Sequence, residues 1–301
     1  MIDIDKLNND FGIADQLRFV KGEGGFVIIE VDNDYATAVI STYSGQIMAY
    51  QPKTEAKPLL FLSDLAIYES GKAIRGGLPI CWPWFAEDIK SKDLPAHGFV
   101  RDQQWQVVKT QKQDDGSTKV TLEISNNQYS MKLWPYKFKL QIEITISSIL
   151  TVVLTTNNVD EKSFTISQAL HSYLAVGDVN QIEVMGLDGL CYLDKTADFT
   201  ERNQRSNVVI DGIIDRIYQD VESDVLLIDP IFNRKIRISS QGSNTFVVWN
   251  PGEKVASTMV DLADDGHKRF VCIEAANTAD DKVTIAAGKS HSLIVTYSIE
   301  H

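Results

Sequence analysis

The 301-residue sequence has few cysteines and no long apolar stretch. Cys81, Cys191 and Cys272 lie far apart and form no CxxC pair, a pattern that argues against a disulfide framework or a zinc-finger spacing. No window approaches the roughly 18 apolar residues that a membrane-spanning helix needs. The start of the chain, Met1–Lys6, lacks the basic and apolar segments of a secretion signal. We therefore expect a cytoplasmic protein with reduced thiols.

Positive charge is also scarce. The chain has 29 Lys and Arg residues against 41 Asp and Glu residues, which gives a formal net charge of −12. Without a basic run, such a chain is a poor partner for nucleic acid or for an anionic membrane surface. The sequence contains no P-loop, GxGxxG or HExxH motif, so we expect no metal and no cofactor. Its 44% of apolar and 23% of charged residues are typical of a soluble globular protein that buries a large core.

Period-two alternation of apolar and polar residues dominates the chain. It is clearest over Phe138–Ile146 and recurs over Val120–Ile124 and Leu293–Ile299, which predicts half-buried strands. The short apolar runs Phe246–Trp249 and Phe270–Ile273 predict strands that are more fully buried. We expect an all-β fold, a large antiparallel β-sandwich with few short helices.

Helical periodicity is weak outside the N-terminus. There Ile4, Leu7, Phe11 and Ala14 fall on one stripe, which predicts a short helix starting near Asp5–Leu7. No linker, composition shift or repeat divides the sequence. We therefore expect one domain over residues 1–301, because all-β domains can exceed the usual length.

One window combines rigid turns, aromatic residues and cationic side chains. It comprises Ile74–Pro79, Cys81–Phe85 and Leu94–Arg101, and it contains two arginines and a histidine. Glycine-rich turns allow close approach to a ligand, aromatic rings offer a flat apolar surface to a sugar, and arginine offers a fork to phosphate or carboxylate. The composition indicates an anionic carbohydrate. The alternative is that these are ordinary loops and core aromatics.

Three further segments contain side chains that could take part in chemistry. His171 lies in an expected strand over Ser167–Leu174, on the same face as Ala169 and Tyr173, and is either a proton donor or a hydrogen-bonded structural residue. Glu274 ends an apolar strand, where a carboxylate either reaches solvent in a cleft or has a function.

The third segment, Asp215–Tyr218, follows a glycine turn. Asp215 and Arg216 could form a surface ion pair there, and their sequence position alone assigns no function.

Taken in order, six segments resemble the glucose-6-phosphate 1-epimerases, also called hexose-6-phosphate mutarotases, of the aldose 1-epimerase superfamily. They are IRGGLPICWPWF, LPAHGFVR, ALHSYL, DRIY, VVWNP and FVCIEAAN, and the resemblance extends from about Phe26 to Tyr297. It implies a galactose mutarotase-like supersandwich that interconverts the α and β anomers of a hexose 6-phosphate, most simply glucose 6-phosphate, without a cofactor.

The resemblance also implies roles for particular residues. His171 matches the general acid that protonates the ring oxygen, and Glu274 matches the general base on the C1 hydroxyl. Opening a pyranose needs one such acid and one such base.

The binding residues follow from the same resemblance. Arg75 and Arg101 match arginines that hold the phosphate, His97 matches a histidine that binds the sugar, and Asp215 matches an acidic residue that holds ring hydroxyls. Plain galactose mutarotases typically have a His-Gly-Gly loop where this chain has HGFVR, and the arginine favours a phosphorylated sugar.

Two positions depart from the family pattern and bear on substrate choice. Ala86 stands where glycine is frequent, and Gly252–Glu253 stands where an aromatic residue is common. Two alternative functions stay open: an aldose 1-epimerase for unphosphorylated sugars and a non-catalytic sugar-phosphate-binding protein. The expected partner is a small-molecule hexose 6-phosphate, and we expect the protein to be a monomer.

Overall fold

The computed structural model describes residues 3–86 and 94–301. Its α-helices are α1 (Ile4–Phe11), α2 (Gln128–Leu133) and α3 (Gly252–Ala256). No helix among the described residues has the length and apolar character needed to cross a membrane. Short 3₁₀ helices connect other elements, and they span Glu23–Gly25, Val100–Asp102, Val179–Gln181, Lys195–Ala197, Gly266–Arg269 and Ala279–Asp281.

The N-terminal helix is confirmed, with shifted limits. It begins at Ile4, because the Asp3 side chain caps it by accepting a hydrogen bond from the Lys6 N–H. Its apolar stripe packs against the main core. The helix ends at Phe11, because the Gly12 N–H makes the last helical hydrogen bond, to the Asn8 carbonyl, and the backbone of Gly12 is extended. Ala14 therefore lies outside the helix, and it is exposed.

Strands are the commonest element of the described chain. In chain order they are β1 (Leu17–Lys21), β2 (Val27–Asp32), β3 (Ala36–Ser41), β4 (Ile47–Pro52), β5 (Ile80–Cys81), β6 (Gln106–Lys112), β7 (Thr118–Ser125), β8 (Phe138–Ile146), β9 (Leu150–Asn158), β10 (Phe164–Ile166), β11 (Gln168–Leu170), β12 (Tyr173–Ala175), β13 (Glu183–Met185), β14 (Cys191–Asp194), β15 (Thr200–Asn203), β16 (Ile214–Tyr218), β17 (Val225–Asp229), β18 (Arg234–Gln241), β19 (Thr245–Asn250), β20 (Phe270–Asn277), β21 (Val283–Ile285) and β22 (Ser290–Glu300).

Two large antiparallel sheets dominate the fold. One has the order β13-β17-β18-β22-β9-β8-β7-β6, and the other has the order β15-β14-β16-β19-β20-β11-β5, with β12 also paired to β20. Strands β1 to β4 form a smaller sheet, and β10 pairs with β21. Side chains from both large sheets meet in one apolar core. The predicted β-sandwich is confirmed, as are its alternating strands β7, β8 and β22.

Strand β20 is buried on both faces, as its apolar sequence predicts. Val271, Ile273 and Ala275 point into the main core, whereas Cys272 and Glu274 point to the opposite face. Each fully buried isoleucine or valine stabilises the fold by roughly 1.5–3 kcal/mol relative to exposure. The packing of Val271, Ile273 and Ala275 in the core therefore holds β20 in place, and with it the Glu274 side chain on the opposite face.

A candidate active site on the outer face of one sheet

A cavity of about 300 Å³ lies over this second face of the sheet. Its walls come from β16, β19 and β20, from His171 between β11 and β12, and from the loops around Arg75 and His97. The lining residues are Ala73, Arg75, Phe85, Ala96, His97, Arg101, His171, Lys195, Asp215, Val247, Trp249 and Glu274. All six side chains that the sequence singled out line this one cavity.

His171 and Glu274 face each other across neighbouring chain segments. The antiparallel register pairs Leu170 with Ala275 and Tyr173 with Cys272, so the intervening His171 falls opposite Glu274. The His171 Nε2 atom lies 3.4 Å from Glu274 Oε1. Two side chains that are 103 positions apart in sequence (274 minus 171) are thus held together by strand pairing.

The strand predicted over Ser167–Leu174 is wrong in one respect, because it breaks at the histidine. β11 ends at Leu170 and β12 begins at Tyr173. In the gap the His171 N–H donates to the Pro79 carbonyl at 2.9 Å, and the Ser172 hydroxyl donates to the Ile273 carbonyl at 2.5 Å. The strands on both sides of the break therefore keep the same register with β20, while the His171 backbone N–H bonds to Pro79 and not to β20.

Aromatic rings pack around the histidine. The His171 ring stacks on Tyr173 with centroids 4.9 Å apart and meets Trp249 edge-on at 5.6 Å.

The side chains of His171 and Glu274 are 10% and 1% exposed. Burial lowers the pKa of His171 well below its usual value, and His97 and the nearby arginines lower it further. Burial likewise raises the pKa of Glu274 well above its usual value. Burial therefore favours a neutral imidazole and a protonated carboxyl group.

Two polar atoms of this pair have no hydrogen-bond partner among the described residues. They are His171 Nδ1 and Glu274 Oε2. Buried polar atoms are usually satisfied, and an exception calls for an explanation such as a catalytic role or a bound ion. The pair therefore has spare hydrogen-bonding capacity in a cavity that is open to a ligand.

The His97 loop needs an unusual backbone. His97 has φ +63° and Gly98 has φ +76°. A Cβ atom on Gly98 would lie 1.8 Å from the Trp82 carbonyl oxygen, so only glycine fits there. The His97 ring packs edge-on against His171 at 5.7 Å. Burial, reinforced by Arg101, lowers the pKa of His97 to about 3, so this histidine is neutral, with one ring nitrogen that can donate a hydrogen bond and one that can accept.

Two arginines enter the cavity from loops. Arg75 donates from Nε to Asp261 at 3.1 Å and from Nη1 to the Tyr173 hydroxyl at 3.0 Å. Arg101 donates from Nη2 to the Ala96 carbonyl at 3.0 Å. Both guanidinium groups are thus oriented before any ligand binds, which reduces the entropy lost when they engage an anion.

Asp215 belongs to the cavity, and the alternative of an ion pair with Arg216 is wrong. Asp215 accepts a hydrogen bond from Lys195 Nζ at 2.6 Å. Arg216 instead donates to Gln204 and lies over the Tyr192 ring, because successive residues of a strand point to opposite faces. The other carboxylate oxygen of Asp215, Oδ1, is buried without a partner among the described residues. It is placed to accept a hydrogen bond from a ligand hydroxyl.

Lys195 and Asp261 belong to the site, although no sequence motif pointed to them. Lys195 follows β14, whose pairing with β16 continues in register to bring it opposite Asp215. Asp261, which orients Arg75, lies 186 positions away along the chain. Local periodicity contains no signal for either pairing. The only available signal was the presence of charged residues beside apolar strands.

The two departures from the family pattern have backbone consequences. Ala86 has φ +65°, a conformation that glycine adopts more readily. Gly252 has φ +60°, and a Cβ atom there would lie 2.6 Å from the Ile213 nitrogen. An aromatic side chain does not fit on this backbone at position 252.

Comparison with known proteins agrees with the resemblance seen in the motifs. A family model described as aldose 1-epimerase matches residues 27–298. An Escherichia coli protein provisionally named glucose-6-phosphate 1-epimerase is 33% identical over 264 residues, which cover 85% of each chain. A Cenchrus ciliaris protein with the same provisional name is 30% identical over 84% of this chain and 78% of its own length. The crystal structure of a provisionally assigned Salmonella typhimurium mutarotase has a TM-score of 0.88 at 28% identity, covering 96% of this chain and 95% of that one.

Proposed function

Because the chain belongs to the aldose 1-epimerase family and is therefore an isomerase of sugar anomers, we propose that its substrate is a hexose 6-phosphate and specifically glucose 6-phosphate. The observation that supports this substrate is one cavity that holds both the His171–Glu274 pair and the two oriented arginines, Arg75 and Arg101. The names of the relatives point to the same sugar phosphate.

In the proposed reaction, His171 is the acid and Glu274 is the base. Glu274 removes the proton of the C1 hydroxyl while His171 protonates the ring oxygen, so the C1–O5 bond breaks and an open aldehyde forms. The aldehyde rotates about C1–C2. His171 then takes the proton back from the C5 hydroxyl as its oxygen attacks the other face of C1, and Glu274 returns a proton to the carbonyl oxygen.

This cycle requires that the pair hold one transferable proton. A neutral imidazole beside a protonated carboxyl group contains the same number of protons as an imidazolium beside a carboxylate. A shift of the proton across the 3.4 Å contact converts one form into the other. The burial that favours the uncharged form therefore does not remove the proton that the reaction uses.

The phosphate lies at the far end of the sugar from the reacting carbon. At neutral pH it has a charge of about −1.5 to −2, which two arginine forks can partly neutralise. Contacts to the phosphate would position C1 beside His171 and Glu274, and they would take no part in the proton transfers. His97 and the free oxygen of Asp215 would hold ring hydroxyls, and Lys195 would keep the Asp215 carboxylate in place.

Exchange NMR between the anomeric protons at equilibrium tests the proposal directly. We expect the protein to accelerate exchange for glucose 6-phosphate far more than for free glucose, with Glu274→Gln as the inactive control. Equal acceleration of both sugars would instead identify an aldose 1-epimerase for unphosphorylated substrates. Saturable binding of the sugar phosphate without accelerated exchange would identify a binding protein.

A further inference from the structure

Beside the proposed acid and base lies a third side chain that the reaction does not use. Cys272 precedes Glu274 by two residues on β20 and therefore points to the same face. One ring nitrogen of His171, the sulfur of Cys272 and one carboxylate oxygen of Glu274 all lie within 4.8 Å of one another. We propose that these three residues form a site for a thiophilic divalent cation, Zn²⁺ above all, and that occupation of the site inhibits the epimerase.

The donor set is one that zinc uses. Zinc binds thiolate, imidazole and carboxylate in tetrahedral geometry, with bonds to nitrogen and oxygen that place those two atoms about 3.3–3.5 Å apart. The observed separation between His171 Nε2 and Glu274 Oε1 is 3.4 Å. In such a site the sulfur lies roughly 3.5–3.7 Å from the other two donors. The three donor atoms here lie within 4.8 Å of one another, so a movement of the Cys272 sulfur by up to about 1.3 Å completes three corners of a tetrahedron.

Charge balance also favours a metal at this place. A thiolate, a carboxylate and a neutral imidazole around Zn²⁺ form a complex with no net charge. That matters because Cys272 and Glu274 are 0% and 1% exposed, and burial of a net charge is costly. A neutral complex is also not repelled by Arg75, Arg101 and Lys195 in the same cavity. Two protons leave on binding, one from the thiol and one from the carboxyl group.

The fourth corner of the tetrahedron faces the sugar cavity. His171 and Glu274 line that cavity, whereas Cys272 is fully buried and is not part of the wall. A site with three protein ligands and one open position can take a water molecule there. Because the metal would occupy both the acid and the base, it would compete with the sugar. Mg²⁺ prefers oxygen ligands and octahedral geometry, so it should not inhibit.

Cobalt provides a test that does not depend on catalysis. Metal-free protein is titrated with Co²⁺, whose tetrahedral complexes absorb in the visible range and whose thiolate complexes add a charge-transfer band in the near ultraviolet. We expect both bands to saturate at one Co²⁺ per chain and to disappear on addition of Zn²⁺. Cys272→Ser and Cys272→Ala should each abolish the charge-transfer band.

The other two cysteines are matched controls. Cys81→Ser removes a second buried thiol, and Cys191→Ser removes the partly exposed one. Both variants should keep the cobalt spectrum. A charge-transfer band that survives in the Cys272 variants, or that disappears in Cys191→Ser, would overturn the assignment.

The inhibition assay rests on the proposed function, and the cobalt titration does not, so the two can fail separately. Wild-type exchange should be inhibited by micromolar Zn²⁺, unaffected by Mg²⁺ and restored by a chelator. Cys272→Ser should keep basal turnover, since the proposed reaction assigns no proton transfer to the thiol, and should need at least about 10-fold more Zn²⁺ for the same inhibition. Equal zinc sensitivity in wild type and Cys272→Ser would refute the involvement of the thiol.

Discussion

Replacing Arg101 with alanine tests how the cavity distinguishes a phosphorylated sugar from a plain one. The Arg101 side chain lines the cavity and is oriented by the Ala96 carbonyl. A hydrogen bond to a charged group contributes about 1.5–3 kcal/mol. Loss of that contact to the phosphate should therefore raise the KM for glucose 6-phosphate by about 10- to 150-fold. The kcat should change little, because the lost contact is made equally in the ground state and the transition state.

Arg101 is a cleaner choice than Arg75. Removal of Arg75 would also leave the Asp261 carboxylate and the Tyr173 hydroxyl without their shared partner. That loss would add a cost in stability to any loss in binding. Arg101→Lys keeps the charge without the fork and should fall between wild type and alanine. Arg18→Ala removes an exposed arginine that pairs with Glu30 away from the cavity, and it should change neither parameter.

The assay is exchange NMR over a range of sugar concentrations, with glucose as the internal reference. Glucose is needed because the Arg101 charge also lowers the pKa of His97, His171 and Glu274, after larger effects of burial. Any change in glucose turnover measures the effects of the substitution that do not depend on the phosphate. The ratio between the two sugars then isolates the phosphate contact. An equal loss on both sugars would refute the phosphate role and leave Arg101 a structural residue.

Three further outcomes follow from the geometry. His171→Asn and Glu274→Gln should each lower kcat at least about 100-fold in exchange NMR while circular dichroism shows an intact fold; near-normal turnover would remove that residue from the mechanism. Glu274→Gln should also gain stability relative to wild type as the pH rises. The folded-state pKa of Glu274 is raised above 4.5, so the stability it contributes is present below that pH and is lost as the pH rises through the folded value, whereas glutamine has no such loss. The difference in Tm between variant and wild type should therefore grow in calorimetry as the pH rises above 4.5, and a constant difference would contradict the raised pKa. Gly98→Ala should destabilise the protein by at least about 2 kcal/mol in urea unfolding, because its φ is positive and its Cβ would overlap the Trp82 carbonyl; an unchanged midpoint would show that the loop can relax.

Local sequence pattern predicted the strands well, for a physical reason. Period-two alternation in β8 and the continuous apolar run in β20 both reflect which faces of a strand are buried, and the burial of apolar surface is the dominant force that favours folding. The stripe of the N-terminal helix was also visible, but its end was not. Ala14 fits the helical spacing of apolar residues, yet the helix ends at Phe11 because the backbone becomes extended at Gly12. The hydrophobic pattern does not indicate that end.

The pairing of distant residues could not be predicted in the same way. The family resemblance of the motifs identified His171 and Glu274. The sequence pattern around His171, however, predicted an unbroken strand and gave no sign that the two side chains meet. The break that aims the histidine depends on bonds to Pro79 and Ile273, from two other parts of the chain. Lys195 opposite Asp215 likewise depends on the register between β14 and β16. Register is decided by the whole sheet, so a local pattern does not contain it.

The residues proposed for acid–base chemistry and those proposed to bind the phosphate lie in different parts of the fold. Glu274 lies within β20, which the core fixes on one face and which pairs with β19 on one side and with β11 and β12 on the other. His171 is held by that same pairing. Arg75 and Arg101 instead lie outside the strands, in the segments before β5 and before β6. Loops tolerate change far better than a doubly buried strand does. A sandwich of this design can therefore alter which sugar it accepts by changing its loops while the proposed acid and base keep their positions. The departures at Ala86 and Gly252 both lie outside the strands that hold this pair.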